Sequence, residues 1–363
     1  MKYLIDNKTK KPAYLQLYIQ IRDDIINGLY PPNTKLPSKR TLASDTGVST
    51  ITIEHAYALL CDEGYAESRE RSGYFVTFHT DDGFVTAPNN SPKTLPKLTH
   101  HTDADTITEF PFSVLAKVMR KVITDVSSGI LEQSPNLGCL CLRNAICNYL
   151  ARSKGITAKT EQIVIGSGSE YLYSLLVELL GRNFVYAIES PSYKKIEEVY
   201  TASDVCLKKL PLSSDGIDSH ALKLCEADVL HISPYRSYPS GVTASASKRH
   251  EYLRWAEKGQ RFIIEDDFES EFSVSKKPVE TLFSHSPHDN VIYMNTFSKT
   301  ISPSFRIGYM VLPEELAKIY KEKLGFHSCT VPTYIQYVMA ELLSNGDFER
   351  HINRIRRIKR KLL

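Results

Sequence analysis

Three short stretches, far apart in the chain, carry residue types that suit one kind of chemistry. Gly166-Ser167-Gly168-Ser169 follows the apolar run Ile163-Val164-Ile165 and opens a helical stretch. Small residues there let backbone N–H groups and hydroxyls close around an anion, and a helix N-terminus favours negative charge. Glu265-Asp266-Asp267-Phe268 follows Phe262-Ile263-Ile264, and Asn295-Thr296-Phe297-Ser298-Lys299 follows the run Val291 to Met294, with Arg306 seven residues beyond the lysine. A lysine near a phosphate seat and an acid suits imine formation. The amine, deprotonated by desolvation or neighbouring charge, attacks an aldehyde while a carboxylate keeps a ring nitrogen protonated. Pyridoxal 5'-phosphate makes those demands. Taken singly, each group also reads as ordinary surface: the Gly/Ser turn as a helix cap, Lys299 and Arg306 as solvated cations, Asp266 as an exposed strand-end acid.

To act together these groups must be carried to one place by strands. The β-branched and aromatic strings Ile163–Ile165, Phe184–Ile188, Val229–Ile232, Phe262–Ile264, Val291–Met294 and Tyr309–Leu312 read as buried strands, and Glu170–Leu180 and Ser247–Lys258 as helices between them. This alternation predicts an α/β domain with a mostly parallel sheet covered on both faces, in which ligands gather at the C-terminal strand ends.

Residues 1 to about 78 have a different pattern. Leu17, Tyr18, Ile21 and Ile25 fall at helical spacing before Gly28, Pro31 and Pro32; Ser38 can cap a second short helix ending at Gly47; Ser49 can cap a third, with Ile53, Ala56, Tyr57 and Leu60 on one stripe. Tyr65 to Val76 alternates around Arg69, Arg71 and Gly73 as two strands and a turn. Helix, helix, turn, helix and basic hairpin is the layout of a winged helix-turn-helix. Ser49, Thr50 and Thr52 supply small hydrogen-bonding side chains for base edges, and Lys39, Arg40, Arg69 and Arg71 can meet phosphates. A helical interaction module fits the same three capped helices.

Composition bounds both halves. The 363 residues, 42% hydrophobic and 24% charged, suffice for two or three folded domains and exclude disorder and collagen-like repeats. A net charge of +3 excludes wholesale attraction to nucleic acid, and within residues 1–78 ten Lys and Arg face nine Asp and Glu, so DNA affinity must be local. Seven cysteines without a C-x-x-C pair, Cys139 and Cys141 being the close pair, predict reduced thiols, with no metal site. No stretch approaches the roughly 20 apolar residues of a membrane span, so a soluble cytoplasmic protein is expected. Pro- and polar-rich residues 79–104, including His100 and His101, read as a tether, dividing the chain into 1–78, linker 79–104, and 105–363.

The string Leu36-Pro37-Ser38-Lys39-Arg40-Thr41-Leu42-Ala43, then Gly47-Val48-Ser49, Ala56-Tyr57 and Glu63-Gly64-Tyr65, resembles the DNA-binding domain of the GntR regulators. The resemblance implies that Arg40 and Ser49 to Thr52 contact operator DNA and that Ser72 and Gly73 turn the wing. From Phe110-Pro111 onward, Leu142-Arg143, Gly166–Ser169, Glu189-Ser190-Pro191-Ser192-Tyr193, Tyr238-Pro239-Ser240-Gly241, Glu265–Phe268 and Ser298-Lys299 resemble the fold-type I aminotransferases. By that resemblance Lys299 forms the Schiff base, Asp266 partners the pyridinium nitrogen, Tyr193 stacks on the ring, and Ser167, Gly168, Ser169, Thr296, Ser298 and Arg306 surround the phosphate. The combination is similar to the MocR subgroup of regulators, which implies a homodimer, head to tail, whose body senses an amine, an amino acid or pyridoxal phosphate itself by aldimine formation, with little or no turnover.

Three departures from these families stand out. Thr50 replaces a frequent arginine, Phe268 replaces the usual tyrosine, and Leu131 to Gly138 holds no tyrosine for a neighbouring subunit's phosphate. The resemblance further leads to the expectation that the C-terminal small subdomain is missing by truncation, with Lys194 or Lys195 as substitute carboxylate receivers. Three functions stay open at this level: a cofactor-gated regulator, a true aminotransferase with a DNA-binding head, and a repressor whose body binds no cofactor.

Overall fold

A computed structural model describes residues 3–6, 9, 11–79, 110–259, 261–274, 280–286 and 289–362. Residues 79–104, read from the sequence as a tether and including His100 and His101, lie outside the described residues apart from His79. Contacts divide the chain into two compact units, 1–99 and 100–363.

In the first unit α1 (Ala13–Ile26), α2 (Lys39–Thr46) and α3 (Thr50–Asp62) precede an antiparallel hairpin, β1 (Ala66–Arg69) and β2 (Gly73–Val76). Ser38 Oγ accepts from Thr41 N, and Ser49 Oγ accepts from Thr52 N, so both capping serines start their helices as the sequence predicts. Gly47 ends α2 at φ 71°, a left-handed backbone that costs glycine nothing and a side-chain residue more than about 1 kcal/mol. Leu17, Ile21 and Ile25 of α1 meet Ile53, Tyr57 and Leu60 of α3 in one core, closed by Ala66 and Val76 of the hairpin. The Tyr57 hydroxyl donates to Pro37 O at 2.7 Å and so fastens α3 to the approach of α2.

The second unit is an eight-stranded sheet. Its strands are β3 (Ile163–Gly166), β4 (Val185–Ser190), β5 (Cys206–Ser213), β6 (Gly216–Ile217), β7 (Val229–Ile232), β8 (Phe262–Asp266), β9 (Val291–Thr296) and β10 (Gly308–Val311), in the order β3-β10-β9-β8-β7-β4-β5-β6. The neighbours β9, β8, β7, β4 and β5 pair in parallel; β10 is antiparallel to both β3 and β9, and β6 antiparallel to β5. Reversal of β10 is decisive for position. It brings Gly308, its first residue, opposite the last residues of β3 and β9, Gly166 and Thr296. Arg306 thereby reaches the edge where the parallel strands end.

Side chains alternate across the sheet. Ile163, Ile165, Tyr293 and Tyr309 face a core that includes α4 (Phe112–Val126), α5 (Leu140–Lys154), α12 (Thr333–Ser344) and α13 (Asp347–Leu362). Val164, Ile264, Ile292 and Met310 face α6 (Ser169–Leu180), α7 (Lys194–Ala202) and α11 (Glu314–Leu324). Burial on both faces explains why these strands read as continuous apolar runs. Among the described helices none is long and apolar enough to cross a membrane. Cys139 is buried at the cap of α5 and Cys141 half-buried in its first turn.

At the end of β8 three consecutive acids are buried, and each meets a different solution. Glu265 accepts Leu282 N and Phe283 N at 2.9 and 3.0 Å, and burial pushes its carboxyl up to about 7. Asp267, on the same side as Glu265 and opposite to Asp266, has Lys154 Nζ 2.8 Å from Oδ2 and accepts from the Tyr293 hydroxyl at the same distance. Although burial opposes it, the Lys154 charge holds the Asp267 carboxyl below its ordinary value. Glu271 shares Lys154 at 3.9 Å and takes Asn295 Nδ2 at 2.6 Å. Removing the cation leaves buried anions without a counter-charge. Lys154→Ala is therefore expected to lower the unfolding free energy of the second unit by about 3–5 kcal/mol, read as a shift of the urea midpoint at unchanged slope.

Candidate functional site

A cavity of about 440 Å³ opens at the strand ends, and it is lined by Gly168, Ser169, Tyr193, Asp266, Thr296, Ser298, Lys299 and Arg306 among others. Eight of the nine residues that the sequence assigned to a cofactor are thus brought to one place. Ser167 is the exception: its N–H donates to Thr330 Oγ1 at 3.1 Å, and the residue does not line the cavity.

The anion end is built from the turn between β3 and α6. Gly168 has φ 95°, and a Cβ there would lie 3.2 Å from the Arg306 guanidinium, so only glycine lets the arginine close on the turn. Arg306, itself left-handed at φ 48°, sends Nη2 to Glu170 Oε2 at 2.5 Å. Glu170 also takes Lys195, and these two cations hold its carboxyl below the usual range. Thr296 Oγ1 accepts from Ser298 N at 3.0 Å, which folds the chain tightly after β9.

The acid end is Asp266, 4% exposed. The alternative of an exposed strand-end acid is therefore excluded. The Tyr173 hydroxyl donates to its Oδ2, and His231 Nε2 stands 3.6 Å from the same oxygen. Oδ1 is buried with no hydrogen-bond partner among the described residues. An unpaired buried acceptor facing a cavity costs about 1–3 kcal/mol unless a donor arrives, as the protonated nitrogen of a ring would. His231 Nδ1 shares a hydrogen bond of 2.7 Å with the Tyr200 hydroxyl. Between the two ends Lys299 Nζ is 2.9 Å from Glu269 Oε1 and 4.5 Å from the centroid of the Phe268 ring. Its side chain is about half exposed, as is that of Arg306, so both remain reachable from water. Tyr193 stands edge-on to Tyr238, with centroids 6.1 Å apart.

Anion seat, amine, unpaired carboxylate oxygen and aromatic wall fit the donor set that pyridoxal 5'-phosphate needs. Lys194 and Lys195 do not join them: they pair with Glu198 and Glu170, and neither lines the cavity. Sequence reasoning did not single out Tyr173, His231, Glu170 or Glu269. A histidine inside the apolar string Val229–Ile232 was a usable signal; Tyr173, four residues after Ser169, looks like any core residue of α6. Glu189, quoted only as part of a motif, accepts Ser233 N and Ser237 Oγ on the cavity wall, and burial pushes its carboxyl up to about 7.

In the first unit the sequence-assigned DNA residues occupy the α2–α3 surface and the wing. Arg40 is exposed, and the Arg71 side chain, at the hairpin turn with φ 56°, is 93% exposed. Gly73 leaves the turn at φ 108°. Lys39 and Arg69 are not waiting cations: Lys39 Nζ is 3.0 Å from Glu54, and Arg69 is 2.6 Å from Glu67 and stacks on Phe75 at 4.3 Å. Phosphates would have to compete with these carboxylates. Thr50 is exposed, whereas the Ser49 and Thr52 hydroxyls lie 2.9 Å apart, each engaged with the other at the cap of α3.

Comparison with known proteins agrees with this division. The family model of bacterial regulatory proteins of the gntR family matches residues 13–76, and that of aminotransferase class I and II matches residues 106–362. The HTH-type transcriptional regulator YdeL of Bacillus subtilis is 33% identical over 96% of this chain and 77% of its own length. The probable rhizopine catabolism regulatory protein MocR of Rhizobium meliloti is 28% identical, covering 98% of this chain and 76% of its own. The pyridoxine biosynthesis regulator PdxR of Corynebacterium glutamicum is also 28% identical, covering 95% and 76%. Among solved structures, the Pyrococcus horikoshii kynurenine aminotransferase superposes with a TM-score of 0.63 at 24% identity over 68% of this chain, and an archaeal alanine:glyoxylate aminotransferase with 0.60 at 24% over 67%. This chain spans 64% and 62% of those two, a likeness of fold alone. With a gntR-type head matched at one end, an aminotransferase class I and II body at the other, and relatives that carry both along nearly its whole length, the chain belongs to the MocR subgroup of the GntR-family transcription regulators.

Proposed function

We propose that this protein is a cytoplasmic transcription regulator that binds operator DNA through its head and pyridoxal 5'-phosphate in the cavity of its body, where an amine, an amino acid or the cofactor itself acts as the signal. The observation that carries the reading is the convergence of Lys299, the unpaired Oδ1 of buried Asp266, and the Gly168–Arg306 seat around one cavity. The name of the relative PdxR, a regulator of pyridoxine biosynthesis, supports the choice of cofactor.

Bound there, pyridoxal 5'-phosphate supplies an electrophilic aldehyde carbon that takes up and exchanges amines covalently. The chain's own residues do the rest. Gly168 and Ser169 present the N-terminus of α6 to the phosphate, with Thr296, Ser298 and Arg306 beside it. Asp266 accepts a proton-bearing ring nitrogen at Oδ1, its other oxygen being held by Tyr173. Tyr193, on the cavity wall, would hold the ring by aromatic contact. Glu269, 2.9 Å from Lys299 Nζ, is placed to take the proton that the amine must lose before it can act as a nucleophile. Phe268 offers no hydroxyl, so the ring gains no phenol donor from this position.

Arg40, Arg69 and Arg71, with Lys39, position the head on phosphates, and the leading turn of α3 enters the major groove. In a head-to-tail homodimer, a signal amine that released Lys299 from its partners in the cavity would bias the body between two arrangements and so change the spacing of the two heads. Turnover as a transaminase is not required by this scheme, and the regulator names of the relatives favour sensing over catalysis.

Lys299→Ala is expected to abolish the visible absorption band of the protein incubated with pyridoxal 5'-phosphate while operator binding persists; a retained band removes Lys299 from its role. Arg40→Ala should weaken operator binding and reduce the slope of log K against log salt by about 1, measured by fluorescence anisotropy across salt. The Glu189 carboxyl, about 7 in the fold and ordinary when unfolded, binds more protons folded than unfolded between those values. Its contribution to stability is thus full in acid and fades as pH rises toward about 7. Glu189→Gln, whose amide oxygen can accept both Ser233 N and Ser237 Oγ, should flatten that part of the stability profile, read from thermal midpoints between pH 4.5 and 7.5.

A further inference from the structure

We infer that Ile51 is a specificity-determining residue of the head and reads the 5-methyl group of thymine in the major groove. This rests on the DNA-binding reading of the head. The solvent-facing side of α3 runs through Thr50, Ile51, Glu54, His55 and Ala58. Most of the polar groups at its leading end are already engaged. The Ser49 and Thr52 hydroxyls close the N-terminal cap together, Glu54 Oε1 is 3.0 Å from Lys39 Nζ, and the His55 ring packs edge-on against Tyr14 at 5.9 Å. Thr50 and Ile51 are left to project, Ile51 with 64% of its surface exposed.

An isolated surface isoleucine elsewhere would need no explanation. This one stands on the turn that a helix-turn-helix inserts among base edges, at a position where it adds nothing to the core and where a β-branched side chain is a poor helix former. From Thr50 to Asp62 α3 contains no lysine or arginine, so the paired donors that recognise guanine are missing from this helix. An apolar group at that place discriminates by what it can cover, and the thymine methyl is the one apolar feature that the major groove presents. Its stiff, branched side chain loses little rotamer freedom on contact.

The experiment starts from a random duplex library, from which the full-length protein selects its own sites. In the selected duplex each thymine is replaced in turn by deoxyuridine, which keeps every hydrogen-bonding group and removes only the methyl. Wild-type protein should lose about fourfold in affinity at one or two positions per half-site, the effect of exposing one methyl-sized group. Ile51→Ala should bind the unmodified duplex about fourfold more weakly and show no further loss with deoxyuridine at those positions. Deoxyuridine losses of equal size in both proteins, or none in either, would overturn the assignment. A selection that returns no sequence bound better than a scrambled duplex would overturn the DNA-binding reading itself. Because Ile51 lies outside the core, the thermal midpoint of Ile51→Ala should match the wild type, which separates a loss of reading from a loss of folding.

Discussion

Carboxylates do not enter a protein interior without a partner for each, and the end of β8 buries three in a row. Glu265 is met by backbone N–H groups, Asp266 by the Tyr173 hydroxyl, and Asp267 by Lys154 and Tyr293. Asp266 points to one side of the sheet, and Glu265 and Asp267 to the other, where the end of α5 and Tyr293 of β9 are drawn in. The candidate site depends on this arrangement because it satisfies Glu265 and Asp267 within the fold and leaves one oxygen of Asp266 without a donor among the described residues. A buried acceptor in that state is costly until a donor reaches it, and this one belongs to a residue that lines the cavity.

At the other end of the cavity the same logic is applied to cations. Arg306 and Lys195, each about half exposed, converge on Glu170, so their positive charge is balanced by a carboxylate of the protein itself. Lys39 and Arg69 in the head are likewise balanced, by Glu54 and Glu67. In both units an anionic ligand bound at these cations would compete with a resident carboxylate. Such exchange lowers the net gain per contact, makes it sensitive to salt, and favours ligands that bring several contacts at once over any single anion.

Much of the scaffold was readable from local pattern. Apolar strings marked the buried strands because parallel strands covered on both faces lose the polar alternation of exposed ones. Ser38, Ser49 and Gly47 marked helix ends because capping is decided within three or four residues. β5 escaped notice: Cys206-Leu-Lys-Lys-Leu-Pro-Leu-Ser is polar and holds a proline, and it is a strand only because β4 and β6 pair with it. Within the site, Lys299, Asp266 and the glycine-serine turn were legible from residue type and place after a strand. Tyr173, His231, Glu170 and Glu269 were not, since their part is defined by what lies across space from them.

The amino-acid sequence by itself determined the two-part organisation, the capped helices of the head, and which strand ends carry an amine, an acid and a glycine-serine turn, because these are properties of neighbouring residues along the chain. Only the tertiary structure decided that β10 runs backwards and delivers Arg306 to Gly168, that Ser167 turns to Thr330 instead, that the Ser49 and Thr52 hydroxyls are spent on each other, and that Asp266 is the one acid of its trio left with an unpaired oxygen. The physical reason is the same in each case. Pairing of charges and hydrogen bonds is settled by distance in space, over separations of a hundred residues or more for Arg306 with Glu170 and for Lys154 with Asp267, and no periodicity along the chain encodes it.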